Sequence, residues 1–320
     1  MRTVGTENQG TRMTLSLLTA LLPIALLIVL GAWLKHRQFL ADTFWAQAER
    51  LAYYVLLPSL FFHGLATANL DGVPFQSMVS VLVFSTVVVS LMLLSARSLI
   101  TTDDAAFTSV FQGGIRFNNY VGVSAAAGLF GVQGIALAAV ANAAIVPSVN
   151  ILCVLVFAKY GSGGRMPLGK VLKQLALNPL ILACFAGGLI QFSGWGLPVG
   201  IEPMLKALGQ MSLPLGLLCV GAALEFASIR QWWRPVGYSS LTKFLIMPLV
   251  TLWACHLFGL EGKAAVAALL FQALPTASSS YIMARQLGGD APLMAGIIAC
   301  QTMLAGLALP AVILVMTQWI

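Results

Sequence analysis

Charge is what this sequence lacks. Only 8% of its 320 residues are Asp, Glu, Lys or Arg, against about 25% in an ordinary soluble domain. A chain this long cannot clothe a water-soluble surface with so few charges. Paired cysteines are missing too. Cys153, Cys184, Cys219, Cys255 and Cys300 stand singly in apolar runs, with no Cys-x-x-Cys, so they read as small packing residues. No His, Asp, Glu or Cys cluster has metal-ligand spacing and no nucleophile motif occurs. Metal and cofactor chemistry are therefore not expected, and an enzyme or membrane sensor is the weakest of the readings considered.

What remains is hydrophobic. Apolar residues make up 59% of the chain and mean hydropathy is +0.92. With lipid as the outer solvent, the outside of the protein can be as apolar as its core. A spanning helix takes about 20 residues. The runs predict ten spans, near 15–34, 47–68, 76–97, 105–130, 134–157, 175–194, 204–226, 236–258, 263–287 and 292–318. The fold class expected is an all-α membrane protein. Residues 1–14 read as a polar tail, with Met13 as a candidate start. Leu15 to Leu34 is too long for a signal peptide and has no small-x-small cleavage site.

Basic residues set orientation. Lys35, Arg37, Arg50, Arg97, Lys159, Arg165, Lys170, Lys173, Arg230, Arg234, Lys243 and Arg285 fall on one side, and Arg2, Arg12, Lys206 and Lys263 on the other. The richer side is expected to be cytoplasmic. Both termini then face outward, in the periplasm of a cell with an inner membrane. The net charge of +7 is read as topology and not as nucleic-acid binding. Trp33, Trp45, Trp195, Trp232, Trp233 and Trp319 lie near predicted span ends, where interfacial aromatics belong.

The landmarks repeat. Pro23 and Pro179 are 156 residues apart, as are Pro58 and Pro214, and Phe111-Gln112 recurs 160 residues on as Phe271-Gln272. Pro147 and Pro310 are 163 apart. The order is kept and the offset grows slowly. This predicts a five-helix repeat over 15–158, a cytoplasmic linker at 159–174 and a second repeat over 175–320. Five is odd, so the second repeat enters the membrane inverted. Inverted repeats in transporters place the substrate site at their interface.

The fourth and ninth spans are the unusual ones. They read Phe111-Gln112-Gly113-Gly114-Ile115-Arg116-Phe117-Asn118-Asn119-Tyr120 and Phe271-Gln272-Ala273-Leu274-Pro275-Thr276-Ala277-Ser278-Ser279-Ser280-Tyr281. Gly113-Gly114 and Pro275 predict a helix break in each. A helix interrupted at mid-membrane offers unpaired N–H groups that favour an anion. Asn118, Asn119, Thr276, Ser278, Ser279 and Ser280 are the candidate substrate ligands; the alternative for each is an interhelical hydrogen bond. Gln112, Gln272 and Asn142 are supporting polar candidates. Arg116 and Lys243 would supply positive potential, unless Arg116 pairs with Asp103 or Asp104 and Lys243 snorkels to the surface. His63 is the titratable candidate in the core. All ten acids read as lying at span ends or in loops, which suits a negative substrate better than a cation.

These residues resemble a known family. Arg116-x-Asn118-x-Tyr120-x-Gly122 followed by Leu129-Phe130-Gly131 is similar to the fourth-span motif of the auxin efflux carrier family. Pro275-Thr276-Ala277, Tyr281-Ile282-Met283-Ala284 and Gly288-Gly289-Asp290 resemble its ninth span, with Lys243, Pro248, Gln301-Thr302 and Pro310 also in keeping. The resemblance implies two inverted five-helix repeats, crossing broken helices and an elevator-like movement of a transport part against a scaffold. It implies a secondary transporter of the compact bacterial type for a small carboxylate such as malate, malonate or an auxin-like acid. Plant members have a proline in both crossing helices; here the fourth span has Gly113-Gly114 instead. Sodium-coupled symport of an organic anion, on the related bile-acid-transporter architecture, is the alternative. The partners expected are the small anion and the lipid bilayer, and the sequence is compatible with a homodimer.

Overall fold

The computed structural model describes residues 22–67, 73–100, 103–162, 176–224, 232–277 and 279–316, with 169 and 173 standing alone. Twelve helices are described: α1 Leu22–His36; α2, made of Asp42–Leu51, a π turn Ala52–Leu56 and Leu57–Ala66; α3 Phe75–Ser95; the short α4 Arg97–Ile100; α5 Asp104–Ile115; α6 Asn119–Tyr160; α7 Pro179–Ser193; α8 Ile201–Ala222; α9, from Trp233 through a π turn Thr242–Ile246 to Phe258; α10 Gly262–Gln272; α11 Ser279–Leu287; and α12 Ala291–Met316. No strand occurs among the described residues.

Among the described residues, five stretches are long and apolar enough to cross a membrane: Phe75–Ser95, Asp104–Tyr160, Ile201–Ala222, Trp233–Phe258 and Ala291–Val315. Asp104–Tyr160 has 57 residues, far more than the ~20 that one crossing takes. It is interrupted twice. Arg116 and Asn118 are extended, separating α5 from α6, and inside α6 Gly131 adopts φ 59°, ψ −134°. That conformation is closed to residues with a Cβ. The remaining apolar helices Leu22–His36, Pro179–Ser193 and Gly262–Gln272 are shorter.

The outer surface is apolar in stripes. Leu245, Leu249, Trp253 and Leu257 on α9, and Leu182, Phe185, Leu189 and Phe192 on α7, are all exposed. At helical spacing these form faces that water would penalise and hydrocarbon would not. Trp33, Trp195 and Trp233 are exposed, as interfacial tryptophans would be. Trp45 is a correction: it is buried against Cys219. Trp319, the 1–14 tail and most of the 159–174 linker lie outside the described residues.

Both π turns precede a proline. Pro58 and Pro248 have no N–H for the bond to residue i−4. Leu57 N–H instead reaches Ala52 O and Met247 N–H reaches Thr242 O, five residues back. The helix expected as the second span starts at Asp42, five residues before the expected 47, and extends to Ala66.

The helices pack as two groups. In one, α2 lies against α7 and α8; in the other, α3 packs on α6, α9 and α10, while α5 and α12 pack on α9. The second group is tied by buried polar bonds. Gln272 Nε2 donates to Leu82 O at 3.0 Å, Ser85 Oγ at 2.8 Å and Thr86 Oγ1 at 3.0 Å.

Candidate functional site

Two helix interruptions meet within the second group. The first, Arg116 to Asn118, lies between α5 and α6; the second, Ala273 to the start of α11, contains Pro275. They touch directly: Asn118 N–H donates to Pro275 O at 2.8 Å. Phe117 and Phe271 stack edge to face with centroids 5.9 Å apart. Gly122 permits the approach, because a Cβ there would come within 2.5 Å of Leu274 Cδ1 and 2.9 Å of Phe271 Cε1. Gly122→Val overpacks this crossing. We expect a loss of about 1–3 kcal/mol, read as a lowered melting temperature of the purified protein in detergent.

The first break falls two residues beyond the expected Gly113-Gly114, both of which remain helical in α5. Those glycines serve packing: a Cβ on Gly113 would strike Ser239 Oγ and Ile297, and one on Gly114 would crowd Leu93 and Thr242. The interruption is set by Asn118. Its extended backbone ends the first half-helix, and its Oδ1 accepts from Tyr120 N at 3.0 Å and Val121 N at 3.2 Å, capping the second. An asparagine cap thus does here what a proline would otherwise do. The second half-helices α6 and α11 begin at Asn119 and Ser279, 160 residues apart, the separation of Phe111 and Phe271.

The caps also revise the chemistry. Some of the backbone N–H groups at the two breaks are already occupied. Asn118 takes those of Tyr120 and Val121, and Gln301 Oε1 takes Thr276 N at 3.0 Å. Gln301 Nε2 meanwhile donates to Gly113 O at 3.0 Å and Ser239 Oγ at 3.1 Å, so one amide braces both breaks. Side chains offer donors of their own. Arg116 Nε and Asn118 Nδ2 are buried without a hydrogen-bond partner among the described residues, and so is the acceptor Asn119 Oδ1.

The three residues that carry these atoms line one cavity of about 40 Å³, room for roughly three water-sized groups. Its polar lining is Glu49, Tyr53, Arg116, Asn118, Asn119, Tyr120, Asn150 and Ser279, with Leu57, Phe117, Val146, Val149, Leu180 and Ala277 completing it. Glu49, Tyr53 and Leu57 come from α2 and Leu180 from α7, so the cavity has walls from both helix groups. Arg116 is 7% exposed. Its Nη1 donates to Asn150 Oδ1 at 3.0 Å and contacts Met283 Sδ at 3.4 Å, and its Nη2 donates to Ser279 Oγ at 3.2 Å. Among the described residues no carboxylate lies within 4.0 Å of this guanidinium. Asp103 instead caps α5, accepting from Ala105 N and Ala106 N, and Asp104 pairs with Arg97.

Several other candidates stand away from the cavity. Thr276 and Ser280 are fully buried with hydroxyls 3.3 Å apart. Ser278 lies outside the described residues. Gln112 Nε2 donates to Ser280 O at 3.5 Å and Gln272 braces α3, so both are interhelical ties. Asn142 Nδ2 donates to Ala138 O at 2.7 Å, and the fifth-span amide that reaches the site is Asn150. His63 Nε2 stands 3.8 Å from Glu202 Oε1, away from the cavity lining. Lys243 does not snorkel. It is 0% exposed within the π turn of α9 and its Nζ has no hydrogen-bond partner among the described residues. It therefore drops out of the loop residues that set orientation.

Sequence reading missed Glu49, Tyr53 and Asn150. The first was taken for a span-end acid because α2 was started too late. Its one signal was the four-residue spacing Glu49, Tyr53, Leu57, which sets three residues near one helical face. Glu49 is half-buried and lines the cavity from α2.

The chain has measurable relatives. Residues 165–313 match the family model described as a membrane transport protein. This stretch contains Lys243, Pro248, the ninth-span motif, Gln301 and Pro310. A protein of Methanothermobacter thermautotrophicus described as an uncharacterized transporter is 24% identical over 292 residues, which cover 90% of this chain and 95% of the relative.

Proposed function

We propose, from the premise that this is a multi-pass membrane protein of the membrane transport protein family, that it carries a small organic carboxylate across the bilayer. The observation that carries the reading is Arg116, a buried guanidinium with no carboxylate at ion-pair distance among the described residues, beside Asn118, whose Nδ2 has no partner among them. A cation out of water requires a counter-charge or dense hydrogen bonding. Two neutral oxygens and a sulfur supply only part of that, and a carboxylate supplies the rest with the geometry a guanidinium favours.

The architecture supports a carrier rather than a fixed pore. We read the helices as ten spans in two inverted repeats, whose half-helices cross at Asn118 and Pro275. α1, α2, α7 and α8 form the scaffold, and the remaining helices form the transport part. A ligand at Arg116 would then ride with the crossing while the wall of Glu49, Tyr53 and Leu180 changes against it, which is an elevator-like displacement. With the cell interior negative, export of a monoanion gains about 2.3 kcal/mol per 100 mV, so efflux can proceed without a coupling ion.

Uptake and efflux of labelled malate, malonate and indole-3-acetate in vesicles test the proposal. At least one acid should move, and the Asn118→Ala/Asn119→Ala double variant should lose that movement. Wild-type rates in the double variant would remove the site.

A further inference from the structure

Tyr120 sits in the first turn of α6, just after the first helix break, and lines the cavity. Its ring lies against Gly216 of α8, a helix of the other group. A Cβ on Gly216 would stand 2.4 Å from Tyr120 Cδ1 and Cε1 and 2.5 Å from Cγ. Three adjacent ring carbons at nearly one distance put the bare Gly216 backbone under the face of the ring. Resting on the carboxylate-carrier reading, we propose that Gly216 sets the upper size of the acid, because its missing side chain gives the Tyr120 ring a place to lie outside the cavity.

So close an approach of ring to backbone requires glycine. Ordinary van der Waals contact starts near 3.4 Å, so a methyl group at 216 would push the ring back by about 1 Å. The Tyr120 backbone cannot retreat with it, because Asn118 Oδ1 holds its N–H at 3.0 Å and caps α6. Gly216 cannot yield either, since it is buried inside α8. The tyrosine side chain must turn instead, and Tyr120 is only 9% exposed. Among the described residues, the room beside the ring is the cavity that it lines. That cavity is about 40 Å³, so a ring edge that enters it removes a large part of the space. Close-packed walls pass such a shift on and do not absorb it. With the carboxylate held at Arg116, the far end of the acid bears the loss. The class expected is therefore short unbranched acids, with a length limit that residue 216 moves.

Binding of labelled straight-chain acids to the purified protein tests this, from acetate through propionate and butyrate upward until the wild type no longer binds. Gly216→Ala should lower the length limit by at least one carbon. Its affinity for the longest acid that the wild type accepts should fall by about tenfold or more, with acetate nearly unchanged. Tyr120→Leu should raise the limit. Gly216→Ala/Tyr120→Leu should match Tyr120→Leu, because residue 216 acts only through the ring. An equal loss for every acid in Gly216→Ala, a double variant with a shorter limit than Tyr120→Leu, or a wild type that binds every length alike overturns the inference and leaves the carrier reading standing. Where Gly216→Ala alone does not fold, the double variant compared with Tyr120→Leu decides the matter. Binding of malate or lactate but of no member of the series overturns the inference alone, and binding of no small carboxylate overturns both.

Discussion

Arg116→Met is expected to lower carboxylate transport in proteoliposomes by about 100-fold or more, with no loss of thermal stability. Removing one partner of a desolvated charge pair with a ligand costs 2–5 kcal/mol or more of binding. The protein itself loses a different kind of group. Arg116 is buried, bonded to Asn150, Ser279 and Met283, and among the described residues without a carboxylate at ion-pair distance. Such a cation is expensive to hold in the absence of ligand. An apolar side chain of similar reach should leave the melting temperature of the empty protein unchanged or raise it. Arg116→Lys keeps the charge and loses the planar fork, so about a tenfold loss is expected. A Met variant that melts far lower, with transport falling only in step with the folded fraction, would mean that Arg116 is a structural residue.

Asn118→Asp should separate function from folding just as sharply. The aspartate oxygen still accepts from Tyr120 N and Val121 N, and a negative N-cap suits the helix dipole. The amide Nδ2, however, becomes a carboxylate oxygen in the cavity beside Arg116. The new anion takes the place of the ligand and repels it. Transport should fall by about 100-fold or more while the melting temperature holds or rises. Asn118→Ala makes the contrast. It removes the cap as well as the donor and should cost about 1 kcal/mol of stability in addition to transport. Both transport readings come from labelled-acid uptake, and both stability readings from thermal unfolding in detergent.

Part of this was legible in the sequence. Polar, helix-weakening clusters at 111–122 and 271–281 stood out because the surrounding spans are so plain, and the half-helices do start at Asn119 and Ser279. The break itself was placed at Gly113-Gly114 because glycine both loosens a helix and permits close packing. Only the neighbours, Ser239 and Ile297, decide between those uses. Gln112 and Gln272 posed the same ambiguity. A buried amide in an apolar helix is either a ligand or a brace, and Ser85 and Thr86 lie almost two hundred residues from the glutamine they hold.

The missed residues share a cause. Asn150 reaches Arg116 across 34 residues of chain, with no local pattern to announce it. Glu49 fell at the end of the expected 47–68 span because 42–46 is polar enough to look like a loop, yet Asp42–Leu51 is the first part of α2. Capping by Asn118 and Gln301 consumes backbone donors that a helix break would otherwise leave open. On the proposed reading, the side chains of Arg116 and Asn118 carry the recognition.

Saturation binding of labelled small carboxylates, lactate and malonate among them, to the purified wild-type protein and to Asn118→Asp tests the central claim most directly. The account predicts saturable, competable binding of at least one acid to the wild type and none to a variant that melts at the same temperature. Equal binding to both proteins would contradict it, because the acid would then sit somewhere other than the crossing of the two broken helices.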